Sequence, residues 1–160
     1  MSVCQRLREY LDSHHIKYLV LAHSQAFTAQ EVAQRMHIPG REMAKTVVAK
    51  TARGLALVVV RAPDRVDMDL VSAALGTDAR LATEQEFSDA FPDCELGAMP
   101  PLGNLYDVAT LVDEDLGKDK EIFFNAGTHT EAIRMQFADF KTLVKPKIAR
   151  VAISLSGMAR

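Results

Sequence analysis

The chain has 160 residues, 48% of them hydrophobic, and a net charge of −2. Those values suit one globular domain with a proper core, and the overall acidity excludes broad, tight, nonspecific binding to nucleic acid. No apolar run is long enough to span a bilayer, and the opening Met1-Ser2-Val3-Cys4 lacks the apolar stretch of a secretory signal, so the chain is expected in the cytoplasm with no membrane partner.

In chain order, residues 2–13 place Val3, Leu7, Tyr10 and Leu11 at helical spacing and predict a helix. Residues 18–22 form a short apolar run of strand type. Thr28 and Glu31 stand at capping-box spacing and open a second helix, expected to run to about His37 before the stop at Pro39 and Gly40. Residues 43–51 and 55–62 are β-branched runs joined at Ala52, Arg53 and Gly54, which predicts a hairpin. A capped helix follows over 67–75, ended by Gly76, and then a short strand over 80–82. Thr83 and Glu86 repeat the capping-box spacing and start a helix toward Phe91. Residues 107–112 and 121–125 predict two strands around a polar turn at 113–120, and 132–135 a third. The last predicted element is a helix over 137–144, ended near Pro146.

Strands and helices interleave, but the hairpin breaks a strict strand-helix-strand alternation. The expected fold class is therefore α+β: a single domain over 1–160 with a curled, mixed, largely antiparallel β-sheet surrounded by helices. Its core is expected over about 18–147, with a basic tail over 148–160. Lys141, Lys145, Lys147, Arg150 and Arg160 fall in the last twenty residues with no acid, leaving 14 basic against 21 acidic residues before them. Such an end suits either phosphate contact or a solvated helix end and frayed terminus.

Hydrolysis of an ester or amide needs an activated water or nucleophile, and donors aimed at the oxygen where negative charge develops. No Gly-x-Ser-x-Gly elbow supports a serine nucleophile. His14, His15, His23, His37 and His129 are not paired with carboxylates at metal-ligand spacing, and the acidic run Asp113-Glu114-Asp115 reads as a solvated turn, so no metal or cofactor is expected. Cys4 and Cys94 lack metal or redox spacing and read as free thiols, Cys94 as a packed small residue rather than a nucleophile paired with His129.

Three features carry chemistry. The segment Gly97-Ala98-Met99-Pro100-Pro101-Leu102-Gly103 holds two prolines that fix φ between two glycines that relax it, making a stiff, bent loop. It is either a rigid connection or a place where backbone approaches a ligand closely. Lys45 lies in a strand and shares an alternating face with Met43 and Val47. It is either an edge cation with a packed stem or a fixed cation beside a phosphate or carbonyl oxygen. His129 follows Gly127 and Thr128 where the apolar run at 122–124 stops, and is either satisfied by strand-end backbone groups or functional.

Lysine in a strand, a glycine-proline loop and a strand-end Gly-x-His, in that order, resemble the YbaK/ProX family of free-standing aminoacyl-tRNA deacylases, related to the editing insertion of bacterial prolyl-tRNA synthetases. The resemblance runs over about 18–147. It implies a trans-editing enzyme that hydrolyses the ester of a mischarged tRNA carrying a small amino acid of the Ala, Ser, Thr, Cys or 2-aminobutyrate class. By resemblance Lys45, Gly97 and His129 are the catalytic residues: Lys45 at the terminal nucleotide, the Gly97 loop at the aminoacyl group, His129 at the terminal adenosine or a water. Thr46, Met99, Pro100, Pro101, Gly103, Gly127 and Thr128 are the expected substrate-binding residues. Some alanine-removing relatives carry asparagine where Thr46 stands, which counts against alanine. The ribose 2′-hydroxyl or a positioned water would serve the attack, so positioning supplies most of the acceleration. The implied partners are the acceptor end of an aminoacyl-tRNA and an aminoacyl-tRNA synthetase, with no DNA. The alternative from another class is a noncatalytic module that presents a tRNA end or an amino acid to a synthetase.

Overall fold

The computed structural model describes residues 5–153. The expected helix start at Ser2 and Val3, Cys4, and the last part of the basic tail with Arg160 lie outside the described residues. Helix α1 (Gln5–Ser13) buries Leu7 and Leu11, as their spacing requires. Strand β1 (Tyr18–Ala22) follows, then α2 (Ala29–Arg35). The Thr28 hydroxyl accepts the Glu31 amide at 3.1 Å, but the Glu31 carboxylate accepts that hydroxyl rather than the Thr28 amide, so only half of the expected capping box forms. The helix ends before the expected His37, which sits in the left-handed region at φ 57.

Strands β2 (Ala44–Thr51) and β3 (Gly54–Arg61) form the expected hairpin, closing at the Thr51–Gly54 pair. A two-residue strand β4 (Arg65–Val66) leads into α3 (Met68–Leu75), whose first amides are capped by the Asp67 carboxylate and whose last turn closes at Gly76. After β5 (Ala79–Leu81), α4 (Glu84–Phe87) begins with a complete capping box at Thr83 and Glu86 and runs into a 3-10 turn, Ser88–Ala90. Strand β6 (Ala109–Asp113) starts two residues later than expected because Asp107 turns the chain at φ 60. Then come β7 (Glu121–Asn125), β8 (Glu131–Gln136), α5 (Phe137–Val144), β9 (Lys147–Ala149) and β10 (Ala152–Ile153).

The expected curled sheet is divided into three ladders. A five-stranded sheet runs β5-β2-β3-β6-β9, a three-stranded one β1-β8-β7, and β10 pairs with β4. Of the seven strand pairings among the described residues, five are antiparallel and two, β3 with β6 and β6 with β9, are parallel. The two larger sheets meet at a parallel bridge between Met43 and Phe123.

Strand β3 is buried on both faces, which is why it reads as an unbroken apolar run. Val59 joins the main core with Leu102, Val112, Phe124 and Phe140, beneath α1 and α5. Val58 and Val60 face the other way, packing with Val47, Ala49 and Val71 under α3. A further cluster joins Val48 and Leu57 to Phe91 and Met99.

Residues 148–153 carry the end of β9 and all of β10, and Asp113 holds them in place. Its carboxylate is buried, with Oδ1 accepting the amides of Val151 at 2.9 Å and Ala152 at 3.1 Å, and Oδ2 that of Asp115 at 3.1 Å. Asp113→Ala strands three amides, two of them on buried residues, and is expected to cost about 3 kcal/mol. Urea unfolding measures the loss, and hydrogen exchange should localise it to the amides of residues 151 and 152. A variant as stable as the parent would mean that solvent replaces the carboxylate without penalty.

Candidate functional site

Strand β7 ends at Asn125, and the turn that follows carries Gly127, Thr128 and His129 before β8 begins. This turn is fastened to the start of the glycine-proline loop by reciprocal backbone bonds. The Glu95 amide donates to the Gly127 carbonyl at 2.8 Å, and the Gly127 amide donates to the Ala98 carbonyl at 2.9 Å. His129 is gripped at every polar group but one. Its amide donates to Glu95 Oε1 at 2.9 Å, its carbonyl accepts the Ala26 amide at 3.1 Å, and its Nε2 lies 2.8 Å from the Leu96 carbonyl.

A carbonyl oxygen only accepts, so the neutral ring must carry its proton on Nε2 and leave the Nδ1 lone pair free. Nδ1 is buried with no partner among the described residues. The Phe27 ring packs on the imidazole at 4.9 Å and is itself 62% exposed. His129 is thus an oriented acceptor behind an open aromatic face.

Gly97 is the exposed vertex of the loop and sits at φ 86, a backbone state that favours glycine. A Cβ placed there would lie 3.7 Å from His129 Cε1, so the two residues are neighbours in space. The Gly97 amide has no hydrogen-bond partner among the described residues. A free amide beside an oriented imidazole can meet an oxygen that gains negative charge.

The rest of the loop runs inward. Ala98, Met99, Pro100, Pro101, Leu102 and Gly103 are all buried, with Leu102 in the main core and Met99 against Val48 and Leu57. Within the stretch 97–103, Gly97 alone is exposed. Gly103 is bound into a local bracket: its amide donates to Thr110 Oγ1 at 3.0 Å, and its carbonyl accepts the amides of Tyr106 and Val108 at 2.9 Å each.

Lys45 lies on β2 opposite Val60, half-buried, with Nζ donating to the Asp64 carbonyl at 2.5 Å. Burial pushes its ammonium below the usual lysine pKa of 10.5, and the Asp64 charge opposes that shift more weakly. Alternation puts Lys45 on the α3 face with Val47, and Thr46 on the opposite face with Val48, which packs on Met99. The Met43–Phe123 bridge nevertheless leads β7 past the start of β2 toward Gly127. Among the described residues no hydrogen bond joins Lys45 to the assembly at Gly97 and His129. Thr128 is nearly buried, its hydroxyl accepting the Thr130 amide at 3.4 Å.

Phe27, Glu95, Leu96 and Asn125 belong to the same neighbourhood without standing out in the sequence. Glu95 and Leu96 act through a carboxylate and a backbone carbonyl on a neighbouring turn, which no local pattern announces. Asn125 ends β7 with a buried, unpartnered Oδ1 among the described residues. Cys94 lies close to the Tyr106 hydroxyl, at 3.1 Å, and to Asp93 rather than to His129, in keeping with a packed thiol. Among the described residues no three His, Cys, Asp or Glu side chains group as metal ligands, and no helix is long and apolar enough to cross a membrane.

A family profile described as the aminoacyl-tRNA editing domain matches residues 23–143. No curated protein matches the chain. Among solved structures, one of a hypothetical protein superposes with a TM-score of 0.84 at 18% identity, over 92% of this chain and 99% of its own. Another, described as a candidate trans-editing enzyme for prolyl-tRNA synthetase, gives 0.81 at 24% identity, over 96% and 98%. A third, a candidate signal-transduction protein from Marinobacter aquaeolei VT8, gives 0.76 at 18% identity over 96% of this chain but 32% of its own. These likenesses establish the fold, an α+β domain with mixed sheets and flanking helices.

Proposed function

Because the chain belongs to the family of aminoacyl-tRNA editing domains, we propose that it is a trans-editing deacylase, hydrolysing the ester between a small amino acid and the 3′ end of a mischarged tRNA. The observation that carries this reading is the pairing of the exposed residue Gly97, whose amide has no hydrogen-bond partner among the described residues, with an imidazole whose one unpartnered nitrogen there is an acceptor. In this reading the Gly97 amide receives the ester carbonyl oxygen as it becomes an oxyanion. With movement of the exposed Phe27 ring that packs on the imidazole, the buried His129 Nδ1 accepts a hydrogen bond from the attacking water or from the ribose 2′-hydroxyl, fixing its direction. Water adds to the carbonyl carbon, the ribose oxygen leaves with a proton, and free amino acid and intact tRNA result.

Lys45 serves as the cation for the terminal phosphate, exchanging the Asp64 carbonyl for a phosphate oxygen when substrate arrives. The exposed ring of Phe27 offers a face on which an unpaired base can stack. An aminoacyl-tRNA synthetase that supplies the mischarged tRNA is the second partner in this proposal. The test is a deacylation assay with purified protein on tRNAs carrying Ala, Ser, Thr, Cys, 2-aminobutyrate and Pro. Loss of one or two small esters is the expected result. Retained binding of acylated tRNA with no hydrolysis of any ester would replace the enzyme by a noncatalytic module.

His129→Ala is expected to lower kcat/KM about 10²-fold, within the range for a positioned proton acceptor. His129→Phe, which keeps the ring against Phe27 but supplies no lone pair, should lose as much. If the phenylalanine variant matched the parent, the ring would be serving packing alone.

A further inference from the structure

Against the start of the glycine-proline loop lies a cavity of about 210 Å³, lined by Phe87, Ser88, Phe91, Cys94, Leu96 and Met99. Four of these are apolar, none carries a charge, and the Cys94 thiol already has the Tyr106 hydroxyl beside it at 3.1 Å. Phe91 and Met99 form a buried back wall, while Leu96 stands 45% exposed at the mouth. The cavity is built into the proposed site by the chain itself. Leu96 directly precedes Gly97 and Met99 follows it by two residues, and the Leu96 carbonyl is the group that orients His129.

We propose that this cavity receives the side chain of the aminoacyl group, and that the substrate class is therefore an uncharged, apolar side chain larger than methyl. The proposal rests on the deacylase reading, in which the ester carbonyl lies at the Gly97 amide, one residue from Leu96. An acyl group held there carries its side chain toward whichever concave surface adjoins the loop, and this cavity does. Its size is permissive, since an apolar cavity of about 150 Å³ already holds benzene. Its chemistry is selective. A hydroxyl placed among Phe87, Phe91, Leu96 and Met99 gives up water for at most the exposed hydroxyl of Ser88 at the rim, whereas a methyl or a thiol gives up little. Valyl, 2-aminobutyryl and cysteinyl esters are the preferred substrates, ahead of threonyl and seryl esters of similar shape.

The experiment compares kcat/KM of the full chain on one tRNA acylated with Ala, Ser, Cys, 2-aminobutyrate, Val or Thr, for the parent and for Ser88→Phe, which fills the cavity from its rim. The parent should favour Val over Thr and 2-aminobutyrate over Ser by about 10- to 100-fold. Ser88→Phe should lose at least tenfold on Val while staying within about twofold on Ala. Thermal unfolding checks that the variant is folded, and the smaller Ser88→Leu gives the same reading if it is not. Equal rates on Val and Thr in the parent, or an unchanged Val-to-Ala ratio in both filled variants, would overturn the assignment while leaving the deacylase intact. A parent that hydrolyses none of the six esters would overturn the deacylase reading itself, and this assignment with it.

Discussion

Replacing Gly103 with alanine is expected to destabilise the domain by more than about 4 kcal/mol, enough to leave much of it unfolded at 37 °C. The added Cβ would stand 2.3 Å from the Val108 carbonyl oxygen and 2.4 Å from Thr110 Oγ1. Neither atom can retreat cheaply, because both belong to the bracket around this residue: Val108 donates to the Gly103 carbonyl, and Thr110 accepts its amide. Relief requires breaking those bonds or moving the start of β6, which lies beside the buried strand β3. Gly97 makes the useful contrast. A Cβ there meets only His129 Cε1 at 3.7 Å, so Gly97→Ala carries the cost of a positive φ, about 1–2 kcal/mol, without a clash. Denaturant unfolding of both variants separates the two glycines. A Gly103→Ala protein as stable as Gly97→Ala would show that the bracket yields, and would reopen Gly103 as a place of ligand approach.

That contrast marks how far the sequence could be read. The glycine-proline segment was legible as rigid, but its two ends do different work. One end is exposed beside His129, and the other is buried in a bracket closed by Thr110, a partner seven residues away. Elements with a strong local signal were legible to the residue: β1, β7 and α5 have the predicted bounds, and Asp67 and Gly76 cap α3 as expected. Strands β4, β9 and β10 were not legible, because two or three residues have no period of their own. They exist through pairing with distant segments and through the Asp113 carboxylate. The same limit applies at the site. His129 could be picked out as a strand-end histidine, but its tautomer depends on the Leu96 carbonyl, and a carbonyl leaves no mark in sequence.

Lys45→Met is expected to lower deacylation kcat/KM by about 10²- to 10³-fold, the usual loss when one charge-stabilising donor is removed, while leaving the fold as stable as before or more so. The two halves of that expectation have one cause. Burial holds the folded-state pKa of Lys45 below 10.5, so the unfolded chain binds the proton more tightly than the folded one. Its charge therefore costs stability at every pH below the lowered pKa, and the cost fades as pH rises from there toward 10.5. Methionine keeps an unbranched stem along Val60 and removes the half-buried cation. Activity should run the other way with pH, because a phosphate contact needs the ammonium. In the parent, tRNA affinity should fall as pH rises through the lowered pKa, earlier than for a solvated lysine. Thermal unfolding beside single-turnover deacylation, each across pH, reads both halves. If Lys45→Met unfolds more easily and its activity falls only in proportion to the folded fraction, the bond to the Asp64 carbonyl is structural and Lys45 leaves the site. If the variant is at least as stable and inactive, a half-buried cation that weakens the fold is retained for what it does to substrate.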